Sequence, residues 1–182
     1  MKIMIAALLL LATANACAAD VPLIQDKVDR FTGEREFKYE APMPKDVTKP
    51  KLTGLVTVKP DVTLAMMHIA MMSWSSRRKP TAWRYLSCHT TNFLVDGQPL
   101  KTMDARHSGS VRDDGVLEFL LIPLEMEQLK ILGEAKTVEY RICQDEYRFT
   151  ANDIAGFKGL HDALMSAKPE SLKGKAVPSS GQ

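Results

Sequence analysis

Residues 137–143 read Thr137-Val138-Glu139-Tyr140-Arg141-Ile142-Cys143, and their alternation decides the fold class. Val138, Tyr140 and Ile142 fall on one side of an extended chain, Glu139 and Arg141 on the other. That period of two is what a half-buried strand requires. Cys143 falls on the polar side, close to a turn. Tyr147-Arg148-Phe149 answers this strand across Gln144-Asp145-Glu146, so the neighbourhood reads as antiparallel sheet.

Downstream the period changes. Thr150 or Asn152 can cap a helix that carries Ile154, Phe157, Leu160, Leu164 and Met165 at helical spacing. From residue 168 to 182, Pro, Ser, Lys and Gly dominate, and the tail is expected to be disordered.

Upstream, Pro123-Leu124-Glu125-Met126-Glu127-Gln128 reads as the opening of a short helix, since proline suits a first turn and acidic groups meet the positive end of the dipole. Met126, Leu129 and Leu132 share one face, with Gly133 as a stop. Residues 116–122 form an apolar strand behind the turn Asp113-Asp114-Gly115. Residues 92–95 form another, leading into Asp96-Gly97, a hairpin signal because glycine accepts a positive φ. Residues 83–90 read as a strand, 55–58 as a short β-run, and the apolar stretch 62–74 as strand or helix.

Residues 20–51 are polar and interrupted by Pro42, Pro44 and Pro50. Residues 34–40 can form one strand with Phe37 and Tyr39 inward, and the segment as a whole reads as an extended N-terminal arm. Residues 52–167 then make a single β-rich globular domain. The fold expected is α+β: an antiparallel β-sheet or sandwich with one or two short C-terminal helices packed on it.

The N-terminus has its own pattern. Lys2 is followed by an apolar run over residues 3–12 and then by small residues up to Ala19. One cation, a short apolar core and small residues at the end are the parts of a secretory signal peptide. The run is too short to span a bilayer, which takes about 20 apolar residues. Residues 1–19 are therefore expected to be removed before Asp20, and the bacterial style of the signal points to a periplasmic or secreted product. Cys17 opens an alternative: cleavage just before it would leave a lipidated cysteine and a membrane-anchored protein. No later segment is apolar enough for a transmembrane helix.

The chain has 182 residues and a formal net charge of +2, which argues against a nucleic-acid binder working through bulk charge. There is no HExxH, GxSxG, phosphate loop, dinucleotide fingerprint or paired CxxC in the sequence. No catalytic residues and no cofactor are assigned.

Four features remain as candidates. Cys88 and Cys143 would pair in an oxidising compartment, and a loop of this size would stabilise the fold by up to about 4 kcal/mol. The alternative is two separate thiols. Cys88 and His89 are adjacent, but neighbours on a strand face opposite ways, so a cysteine nucleophile would need His68, His107 or His161 instead. Met66-Met67-His68-Ile69-Ala70-Met71-Met72 offers thioether and imidazole groups that suit copper, against a plainer role as core filler. As a strand it would set Met66, His68 and Met72 on one face, Met67 and Met71 on the other. Glu118, inside the apolar run 116–122, must be paired, protonated or at an edge; Arg84 and Arg141 are candidate partners, and a general acid is the functional alternative. Arg77-Arg78-Lys79, flanked by Trp74 and Trp83, could bind an acidic partner or phosphate, though such a run is commonly a solvated loop.

The function expected is that of an exported, non-enzymatic binding or interaction domain, of the kind used by inhibitor or immunity proteins, acting on another envelope or secreted protein. The alternative is a copper-handling periplasmic protein that uses the Met/His run.

Overall fold

The computed structural model describes residues 22–46, 49–59, 61–74, 83–113 and 115–167. Ten strands and two helices follow in the order β1 (Ile24–Val28), β2 (Arg35–Glu40), β3 (Lys51–Val58), β4 (Thr63–Trp74), β5 (Thr91–Val95), β6 (Gln98–Leu100), β7 (Arg106–Arg112), β8 (Gly115–Leu124), α1 (Met126–Glu134), β9 (Val138–Ile142), β10 (Asp145–Arg148) and α2 (Ala151–Ser166). Two antiparallel sheets result, one of six strands ordered β1-β2-β3-β4-β8-β7 and one of four ordered β10-β9-β5-β6. The α+β expectation holds.

The ambiguous stretch 62–74 becomes, from Thr63 onward, a twelve-residue strand, β4, in the interior of the larger sheet. Its neighbours decide this: eight residues pair with β3 and ten with β8, which satisfies the backbone on both sides as an isolated helix reading could not foresee. The expected N-terminal arm is likewise taken into the sheet. β1 and β2 form a hairpin that pairs onto β3, because Phe37 and Tyr39 point inward and are each 2% exposed. Of the proline-rich stretch after β2, residues 41–46 and 49–50 stay outside the ladders.

Two local readings change. Pro123 and Leu124 end β8 rather than open α1, which begins at Met126 with Glu125 as N-cap. Proline is tolerated there because β7 stops opposite Leu121, so β8 has one neighbour fewer at Pro123. Gly133 is not a helix stop but a buried residue of α1. A Cβ at Gly133 would lie 2.6 Å from the Lys158 backbone, so the missing side chain lets α2 cross α1 closely. The Asp96-Gly97 turn is as expected, with φ of 50° and 79°, and Asp96 also receives the Thr137 N–H at 2.8 Å, tying the hairpin to the start of β9.

The core lies between the sheets and α2. Phe157 and Leu160 of α2 are fully buried and reach Gly54 of β3. From Phe157, edge-on and stacked rings run through Phe149 and Tyr140 to Phe93 in the smaller sheet, and to Tyr39 in the larger. Each such pair adds roughly 0.5–1.5 kcal/mol beyond its buried area. The Tyr39 hydroxyl donates to Asp153 Oδ1 at 3.0 Å, and Asp153 Oδ2 accepts from the backbone and hydroxyl of Thr150, the N-cap of α2. The helix start and the sheet are thus bolted together through one carboxylate. Burial and the neighbouring Asp153 charge push the Tyr39 hydroxyl well above its ordinary pKa, so it stays a donor.

Gly133→Ala separates helix propensity from packing. Alanine is intrinsically favoured in a helix by about 1 kcal/mol. Contact with the Lys158 backbone should outweigh that gain, and urea unfolding should show a net loss of about 1–3 kcal/mol.

Candidate functional site

Residues 83–90 were expected to form a strand, and they do not. The reason lies in β8. Glu118 points to the inner face of the larger sheet and is fully buried. Its carboxylate accepts the backbone N–H groups of Arg84 at 2.7 Å and Tyr85 at 2.9 Å, and lies 2.9 Å from His107 Nε2 on β7. Donors that would have gone to a strand ladder are turned onto a side chain instead. The expected partnership of Glu118 with an arginine is met by the backbone of Arg84, not its guanidinium, and Arg141 is not involved.

The segment held this way makes further contacts with both sheets. Trp83 packs over Gly109 and meets the His107 ring edge-on, while His89 stacks on the same imidazole. Arg84 Nε donates to Asp145 Oδ2 at 2.9 Å, and the Tyr85 hydroxyl donates to the same oxygen at 2.8 Å while sitting 2.9 Å from the Tyr147 hydroxyl. The Arg84 hydrogen bond, aided by Tyr85, lowers the Asp145 pKa, and burial raises those of Tyr85 and Tyr147. Cys88 closes a disulfide with Cys143, their Cα atoms 6.0 Å apart. Cys143 reaches it from the polar side of β9 because it ends the strand at a φ of 55°, its N–H bonded to the Thr90 carbonyl at 3.0 Å.

This cluster is rich in titratable groups, but its chemistry is internal. Both sulfurs are spent in the disulfide, so Cys88 presents no thiol to His89, His107 or any other base. Both oxygens of Glu118 are engaged, and the residue lines neither the depression beside His68 nor the groove on the smaller sheet. A general acid needs access to substrate.

The methionine run is divided by the pleat of β4 in the way strand geometry requires. Met67 and Met71 are in the core, 0% and 2% exposed, whereas Met66 and His68 are half-buried on the outer face. The backbone of Met72 pairs with Leu117. Met66 and His68 therefore cannot converge with Met67 and Met71 on one copper ion. Among the described residues no three His, Cys, Asp or Glu side chains gather into a metal-holding group. His68 borders a shallow depression on the outer face with Glu36, Lys38, Glu40, Lys51 and Thr53, where Lys38 and Lys51 hold the Glu40 carboxyl at about 2. Among the described residues the buried Nε2 of His68 has no hydrogen-bond partner. Burial first, and the Lys38 charge second, lower its pKa.

The larger depression was not visible to sequence reasoning. A groove of about 1160 Å³ runs between the smaller sheet, the proline-rich stretch after β2 and the start of α2. Leu52, Phe93, Leu100 and Tyr147 contribute its apolar lining, and Met43 and Leu94, 68% and 39% exposed, stand on it as well. Its charged lining is mixed: Glu139 is paired with Arg148 and Asp153 is held by Tyr39 and Thr150, Glu146 also lines it, and Lys49, Lys101 and Arg141 have no ion-pair partner among the described residues. Only the exposed Met43 and Leu94 could have hinted at it, and single exposed apolar residues are too common to signal a site.

Cys17 and residues 1–19, Arg77, Arg78 and Lys79, and the tail 168–182 lie outside the described residues. No described helix is long and apolar enough to cross a membrane. Comparison with protein-family models, curated proteins and solved structures finds no match to this chain.

Glu118→Ala should leave two buried backbone donors and His107 without an acceptor. A loss of about 3 kcal/mol or more in chemical unfolding is expected, and a change within about 0.5 kcal/mol would refute the anchoring role. For His68 the sign follows from linkage. Its folded pKa lies below the ordinary value near 6.5, so the unfolded chain binds the proton more readily. Its contribution is complete above about pH 6.5 and is lost as pH falls through that value towards the folded pKa. Thermal unfolding from pH 7.5 to 5 should show a shallower acid-side decline in His68→Gln than in the unmodified protein.

Proposed function

We propose that this chain is an exported interaction domain that binds another envelope or secreted protein through the groove on its smaller sheet. The observation that carries this reading is the composition of that groove: exposed apolar side chains, Met43 and Leu94, beside Lys49, Lys101 and Arg141, which among the described residues form no ion pair, although Glu146 stands opposite Arg141 in the strand register. Apolar anchors supply affinity on desolvation, and charges at the margin set approach and register. The ligand that fits is a segment with apolar side chains and carboxylates. An inhibitor or immunity-type protein works by this kind of surface.

Export is supported from two directions. Residues 1–19 have the three-part pattern of a secretory signal, and the Cys88–Cys143 disulfide is compatible with an oxidising compartment. The best-connected titratable cluster in the described residues is engaged in holding residues 83–90, which favours binding over catalysis.

Selection of peptides from a random displayed library against the oxidised protein tests the reading. Selected sequences should combine acidic and apolar residues, and the double variant Lys101→Glu/Arg141→Glu should bind them about tenfold more weakly, two attractions having become repulsions. Selected peptides that bind the double variant as well as the parent would end the proposal.

A further inference from the structure

The four outer strands of the two sheets guard their edges unequally. An edge strand leaves a row of backbone N–H and C=O groups without ladder partners, and proteins blunt such edges with brevity, charge or proline. β6 has three residues with Pro99 at its centre. β10 has four, of which Asp145, Glu146 and Arg148 are charged, and β1 places Asp26 and Lys27 within its five. β7 is the least protected, its formal charges confined to Arg106 and Arg112 at its two ends. It runs seven residues without proline, its middle is the uncharged Ser108-Gly109-Ser110-Val111, and all four are exposed. Its pairing with β8 is unbroken from Arg106↔Leu121 to Arg112↔Gly115, with no bulge to twist the edge away. Val111 is 70% exposed, an apolar side chain at an open edge.

The ends of the strand say what kind of chain would pair there. Arg106 and Arg112 are exposed, and among the described residues neither has an ion-pair partner. A second copy pairing β7 to β7 about Gly109 would set Arg106 opposite Arg112 twice over, and like charges directly opposite each other destabilise a strand pair. An extended segment with an acidic residue at each end and uncharged, β-branched residues between would meet both arginines and pack against Val111. From these features we infer that the edge of β7 is a second docking surface, which accepts an acidic-ended extended segment of a partner protein by strand addition. It is independent of the groove, which no β7 residue lines.

The test uses an acetylated and amidated peptide, Glu-Thr-Val-Thr-Val-Thr-Glu, whose carboxylates are spaced as Arg106 and Arg112 are. Titrated into the oxidised ¹⁵N-labelled protein, it should shift and slow the exchange of amides in residues 106–112. Arg106→Glu/Arg112→Glu, both at exposed positions, should keep the fold by circular dichroism and weaken binding about tenfold. The same peptide with lysine at both ends should then bind the double variant better than the parent. The inference is overturned by shifts confined to the groove, by no saturation at about 1 mM peptide, by equal binding to the double variant, or by a dimer whose β7 amides are already protected without peptide. The groove proposal is read separately, through Lys101 and Arg141.

Discussion

Burying the Glu118 carboxylate in the middle of an apolar strand is the constraint from which the arrangement of the two sheets follows. An isolated charge in such a place would cost several kcal/mol, and it is tolerated only when its oxygens are fully engaged. The engagement comes from the Arg84 and Tyr85 backbone and from His107. This draws residues 83–85 across the inner face of the larger sheet. Once there, Arg84 and Tyr85 reach Asp145 and Tyr147 on the smaller sheet, and Cys88 closes on Cys143. A single buried acid thus connects β7, β8, β9 and β10 through a segment that has no regular structure of its own.

The second connection is apolar and lies under α2. Phe157 joins the rings of the smaller sheet to Tyr39 of the larger, and Asp153 binds both the Tyr39 hydroxyl and the N-cap of its own helix. The two connections work differently. The aromatic one is broad and tolerant, because each ring pair contributes modestly. The Glu118 one is concentrated, because removing a single acceptor strands two backbone donors and an imidazole.

Those two connections occupy the inner faces and leave the chemistry of the exterior to the groove and the sheet edges. The groove sits where α2, the smaller sheet and the proline-rich stretch meet without closing. Proline there prevents the chain after β2 from continuing as a ladder strand, so the space is left open rather than filled. The edge of β7 is a different kind of surface, offering backbone donors and acceptors framed by two arginines. As proposed, both surfaces would take acidic, extended partners, one through side chains and one through the main chain.

Period-two alternation determined β9, and apolar runs beside Asp-Gly turns determined β5 and β8. Helical spacing with Thr150 as cap determined α2, and the proline positions determined where the chain leaves the ladders. Those features are local, governed by which neighbours along the chain share a face, and so the α+β class was legible in the sequence alone. Only the tertiary structure decided that 63–74 is an interior strand, that 24–40 joins the same sheet, and that 83–90 is not a strand at all. Each depends on partners distant in sequence: β3 and β8 for β4, the β3 edge for β2, and Glu118 for the Arg84 and Tyr85 amides. The candidate surfaces were least legible of all. A groove is an absence of packing between segments far apart in the chain, and an edge is a strand that nothing follows, so neither leaves a pattern in the residues that form it.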